Sequence, residues 1–147
     1  MGRAPSRAIP DHTRLLLRLW IALALAPVLS GCLLMSGAQQ SSDRAEDAGN
    51  VTVQFVSAEG TEVRQVQAAN AASRLAVTVF ARAEHGQLRI EILDPQSSAA
   101  LVVEGTPDEQ AGRATVPTDA QGMLHYRIRA TGAQHGGFQI LYQPAGS

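Results

Sequence analysis

The sequence predicts an all-β protein: a small antiparallel β-sandwich, jelly-roll-like, that follows a signal peptide and a flexible linker. Three observations carry this. Apolar residues recur with period two in short runs along residues 51–147, the spacing that puts one face of a strand in a core. Turn residues separate the runs. No internal repeat or heptad competes with the β reading.

In chain order, Val51, Val53 and Phe55 alternate with Thr52 and Gln54. Leu75, Val77, Val79 and Ala81 share one face of the next strand, and Leu88, Ile90 and Ile92 alternate with Arg89 and Glu91. Leu101-Val102-Val103 reads as a short, wholly apolar strand, and Ala114 with Val116 as a weaker one. Leu124, Tyr126, Ile128 and Ala130 alternate with His125, Arg127 and Arg129, and Phe138, Ile140 and Tyr142 close the set with Gln139 opposite. Glu59-Gly60, His85-Gly86, Asp94-Pro95, Gln121-Gly122 and the glycine-rich stretch 132–137 read as turns or loops, since glycine, aspartate and proline supply the backbone angles that turns need. Residues 62–73 stay ambiguous. Val63 and Val66 are out of phase for a regular strand, and Ala68, Ala69, Ala71 and Ala72 fit a helical turn.

A chain of 147 residues holds one ordinary domain. Its formal charge of −1 gives no global basic field, which argues against nucleic acid as a partner. All twelve basic residues are arginine, so lysine-based chemistry is excluded. The single cysteine, Cys32, excludes an internal disulfide and a cysteine zinc knuckle.

Residues 1–31 read as a targeting segment. Arg3, Arg7, Arg14 and Arg18 against Asp11 give it a charge of +3, and an apolar run from Leu19 to Leu29 follows. A basic region, a short apolar region and small residues after it form the secretory pattern. The thirteen residues between Arg18 and Cys32 make about 20 Å of helix, short of the ~30 Å hydrocarbon core. Leu29-Ser30-Gly31-Cys32 resembles the lipobox of bacterial lipoproteins. The resemblance implies cleavage before Cys32, diacylglyceryl transfer to its thiol, and a palmitate-type acyl group on the new amine. Two or more chains give a stable anchor.

The chain left after cleavage carries −4, from eight arginines and twelve acids. Its membrane attachment is therefore expected to come from the lipid and not from a basic patch. Residues 32–50 read as the lipidated cysteine and a flexible tether. They are rich in Gln, Ser, Asp and Gly, with no large apolar residue between Met35 and Val51, and such a tether spans about 23 Å. Leu33 follows the cysteine. In lipoproteins of two-membrane bacteria an aspartate there favours the inner membrane, so the resemblance implies an extracytoplasmic, lipid-anchored location, at the outer membrane where the host has one.

Residues 86–95, 126–130 and 137–142 together resemble bacterial pre-peptidase C-terminal domains, across roughly residues 75–143. The resemblance implies a non-catalytic extracellular sandwich and no particular site. The acidic, aromatic-rich middle strand of that family is missing here, as is an attached peptidase.

No nucleophile elbow, H-E-x-x-H pair, Walker loop or dinucleotide fingerprint is present, so the chain does not read as an enzyme and no cofactor is expected. His85, His125 and His135 are the candidate metal ligands, but nothing in their spacing makes them converge; no metal is predicted. Asp94, Asp108, Glu109 and Asp119 read as solvated turn residues. Most of the five aromatics after Cys32 fall on inward positions. Asn50-Val51-Thr52 matches a glycosylation sequon by chance composition. Arg89, Arg127 and Arg129 fall on the outward face of two strands and are the candidate partner surface, for a protein or an anionic envelope polymer. The expected role is a structural or binding module of the envelope; the alternative is a ligand-binding module for a metal or an anionic glycan.

Overall fold

The computed structural model describes residues 32–46 and 48–146. They form seven strands: β1 (Leu34–Ser36), β2 (Gln39–Ala45), β3 (Ala48–Gln67), β4 (Arg74–Leu93), β5 (Ala99–Gly105), β6 (Gln110–Pro117) and β7 (Met123–Pro144). Every strand pairing is antiparallel. No helix occurs among the described residues. Leu29, Ser30 and Gly31, with the apolar run before them, lie outside the described residues.

Three long strands organise the fold, and each serves two halves. The first part of β3 pairs with β2 and with the last part of β7, which pairs with the first part of β4; β6 adds at that strand's edge. Beyond the middle, the rest of β3 pairs with the start of β7, which pairs with the end of β4; β5 adds there. The register shifts between Ala58 and Gly60 on β3 and between His85 and Gln87 on β4. Gly60 and Gly86 hold φ of 109° and 74°, angles that glycine adopts without a Cβ penalty. On β7, Gly132 and His135 have φ of 56° and 46° at the same level. Strands that bend through bulges and pass from one sheet to the other make the corners of a sandwich.

The inward alternation builds one core. Val53, Val79 and Ile140 from one half and Ile90, Leu124 and Ile128 from the other belong to the same buried cluster. Nearly every alternating run read from the sequence keeps its face. Val102 and Val103 differ: β5 lies at an edge, so Val103 is buried while Val102 is exposed.

Three differences from the sequence reading have physical causes. Glu59-Gly60, His85-Gly86 and the stretch 132–137 are corners inside continuous strands, not turns between separate ones. A bulged glycine and a turn glycine carry the same local signal. Residues 62–73 form no helical turn: β3 continues to Gln67, and Ala68 and Ala69 both donate to the Gly122 carbonyl. The true turns are those at Asp94 and Asp119, where each carboxylate accepts two following backbone N–H groups.

The third is a correction. The segment 32–50, read as a flexible tether, carries β1 and β2, and β2 matches β3 residue by residue from Gln39↔Gln54 to Ala45↔Ala48. Every residue of β2 is exposed. Its polar composition therefore gives no burial signal, yet an edge strand needs only backbone hydrogen bonds and a partner.

Candidate functional site

The outward face of the β3–β7–β4–β5 half carries the predicted arginines, and the structure brings them together around Glu91. Register sets this up. Glu91 lies opposite Arg127, and Arg89 opposite both Arg129 and Glu104. Arg127 Nη1 donates to Glu91 Oε2 at 2.7 Å and Arg89 Nε to Oε1 at 2.8 Å; Arg129 Nε stands 3.4 Å from Oε1. Arg89 also donates to Glu104 at 3.1 Å.

The Glu91 side chain is only 5% exposed, against 22% for Arg127 and about half for Arg129. Burial pushes the Glu91 carboxyl upward. Hydrogen bonds from Arg89 and Arg127, with the charges of Arg129 and Arg127, outweigh burial and hold it below the usual carboxylate range. Arg89 and Arg129, facing one another, would repel; the shared carboxylate turns that repulsion into a network. Three guanidinium groups against Glu91 and Glu104 leave a surplus of a single positive charge, much less than three free arginines would present.

Sequence reasoning placed Glu91 on the outward face and missed its role. The signal was there: one acid flanked by Arg89 on its own strand, with Arg127 and Arg129 at matching phase on another. Only the register says that they meet.

His125 lies on the same face. Its Nε2 is 2.8 Å from Asp119 Oδ2. The imidazole contact first, then the Met123 N–H bond, lower the Asp119 carboxyl below its ordinary range. His85 sits at the β4 corner opposite Gln134, and His135 at the β7 corner. Among the described residues no three His, Cys, Asp or Glu side chains gather as a metal would need. Asp94 caps its own turn, while Asp108 and Glu109 occupy the β5–β6 loop.

The outward face of the other half holds a groove of about 430 Å³. Its rows follow from register: Thr52, Gln139 and Phe80 lie side by side on β3, β7 and β4, and the next row is Gln54, Gly137 and Arg82. The exposed residues Glu109 and His135 also line it. Phe80 is the exception among the aromatics after Cys32. Phe55, Tyr126, Phe138 and Tyr142 are all buried in the core, whereas Phe80 faces outward and is half-buried.

No family model matches the chain, and no curated protein sequence matches it. Among solved structures, a chain described as "CBM4 structure and function" is 15% identical with a TM-score of 0.39, over 76% of this chain and 80% of that one. The enzymatically active domain of bacteriophage CBA120 tailspike protein 4 is 14% identical with a TM-score of 0.36, over 80% of this chain and 20% of that one. A chain of the infectious bursal disease virus Gx strain structure is 10% identical with a TM-score of 0.23, over 79% of this chain and 32% of that one. The described residues form a small all-β sandwich.

Proposed function

We propose that this protein is a bacterial envelope lipoprotein, anchored through a lipid on Cys32, whose β-sandwich is a non-catalytic structural or binding module. The observation that carries the reading is the place of the single thiol. Cys32 ends the Leu29-Ser30-Gly31-Cys32 box, is exposed, and precedes β1 by two residues. Cleavage before Cys32 would leave every strand among the described residues intact. The anchor then attaches to the body of the domain with no long tether: Leu33 already packs against the core, and a Cβ at Gly60 would lie 2.4 Å from the Cys32 carbonyl oxygen, so the backbone there rests on the β3 corner.

The test is Cys32→Ser expressed in a bacterial host. Wild-type protein is expected to partition into detergent and to show the mass of a chain cut before Cys32 plus its acyl groups. The variant is expected to lose both. A variant with the wild-type mass shift and partitioning would overturn the anchor.

A further inference from the structure

We propose that the groove over Phe80 binds a neutral, hydroxyl-rich polysaccharide. This rests on the reading of the sandwich as a binding module and not on the lipid anchor.

Three features of the groove carry the proposal. First, an aromatic ring stands on the outside of a sheet. Alternation along β4 buries Leu75, Val77, Val79 and Ala81 and sends Phe80 the other way. Phe80 thus adds nothing to the buried core, and its ring lines the groove. A half-buried phenyl ring on the outside of a sheet offers a surface for the C–H face of a sugar ring, which is apolar on that side and polar at its edge.

Second, the groups beside that ring both donate and accept. Gln54 and Gln139 bring carboxamides and Thr52 a hydroxyl, the side chains whose two-way hydrogen bonding matches a row of sugar hydroxyls. None of these three side chains has a hydrogen bond to another side chain or to the backbone among the described contacts. Third, the groove stays open because one position cannot carry a side chain. Gly137 lies between Gln54 and Arg82 in register. A Cβ there would meet the Val53 carbonyl oxygen at 2.5 Å and Gln54 Cα at 3.2 Å, so any larger residue would push β3 away from β7.

Charge selects among hydroxyl-rich ligands. Arg82 is the cation at the groove, and it is already engaged: Nε donates to the Pro107 carbonyl at 2.9 Å and Nη2 pairs with Glu84 at 3.2 Å. Glu109 also lines the groove. A polymer with a carboxylate or sulfate on each unit would meet acids as well as the arginine, whereas a neutral one meets no charge repulsion on entering. The exposed flanks, Gln54, Arg82, Glu109 and His135, leave the groove open along the sheet, which fits a chain crossing it better than a single small molecule enclosed within it.

The experiment is affinity electrophoresis of the full chain in a non-glycosidic detergent. The gels contain hydroxyethylcellulose, glucomannan, dextran or pullulan as neutral polymers, and alginate or polygalacturonate as anionic ones. Retardation is expected in at least one neutral gel and in neither anionic gel. Phe80→Ala and Gln139→Ala are each expected to weaken it at least about tenfold, as for a central contact in a binding patch, while Phe80→Trp retains it. Val102→Ala, on the outward face of the other half, is expected to change nothing. Phe80→Ala is accepted only with an unchanged thermal midpoint; should it unfold, Gln139→Ala and Gln54→Ala decide. Unretarded migration in all four neutral gels overturns the proposal, as does retardation untouched by the groove variants. Retardation in the anionic gels alone also overturns it, and leaves the binding-module reading standing.

Discussion

Tyr126 and Phe138 lie on the same strand, β7, yet their ring centroids are 6.1 Å apart with the planes tilted by 62°. A straight strand would separate positions twelve residues apart by about 40 Å. The contact exists because β7 turns its corner between them, at Gly132 and His135, and folds its second half over its first. The edge-to-face geometry is a favoured one for aromatic pairs. It closes the core from within one strand.

That contact should be a main source of stability. Phe138→Ala is expected to lower the unfolding free energy by about 3–5 kcal/mol, a large part of a ~5–15 kcal/mol total. Tyr126→Ala should cost a similar amount. The double variant should cost less than the sum by about 0.5–1.5 kcal/mol, the direct ring–ring part. Denaturant melts of the four chains check this. Strict additivity would mean that the rings do not interact.

The same corner shows what the sequence could tell and what it could not. Tyr126, Ile128, Phe138 and Ile140 were readable as inward residues because alternation is local. That one strand holds all four was not readable. A glycine-rich stretch between two alternating runs looks the same whether the chain reverses there or bends and continues. The groove was half legible: the run Leu75, Val77, Val79, Ala81 already sends Phe80 outward, but the neighbours that give that ring a meaning, Gln139 and Gly137, come from β7 through long-range register. Strand β2 was illegible, since an exposed edge strand of Gln, Ser, Asp and Arg has the composition of a linker.

Glu91 should behave as the keystone of the charged face. Glu91→Ala leaves three partly exposed arginines facing one another without their shared acceptor, and is expected to cost about 1–3 kcal/mol. Arg129→Ala, which removes the most exposed and most distant of the three partners, should cost well under that. Acid separates the charge from the packing. The Glu91 pKa is lower folded than unfolded, so its contribution is complete above the ordinary carboxylate value of about 4.3 and is lost as pH falls through the folded value. Thermal midpoints measured from pH 7 down to pH 3 should therefore fall less steeply in Glu91→Gln than in wild type. Parallel curves would show that Glu91 contributes no ion-pair stability.

Strand β2 decides whether residues 39–45 belong to the sandwich or to a linker that precedes it. As a free tether, the Arg44–Ala45 bond would be among the first that trypsin cuts. Paired to β3 through Arg44↔Gly49 and Ala45↔Ala48, it can be cut only after local opening, which backbone pairing opposes. Cleavage after Arg44 in the folded protein is thus expected to be much slower than in the urea-unfolded chain. Gly49 supplies the matching variant. A Cβ at that position would lie 2.5 Å from both the Asp43 carbonyl oxygen and the Tyr142 hydroxyl, so Gly49→Val should lift β2 from β3 and speed the cut at Arg44. Cleavage at Arg64, in the later part of β3, should rise less, because the rest of β3 keeps its pairing with β7. Arg44 cut in the wild-type fold as fast as in urea would return residues 39–45 to the status of a linker, and the domain to the end of a flexible tether.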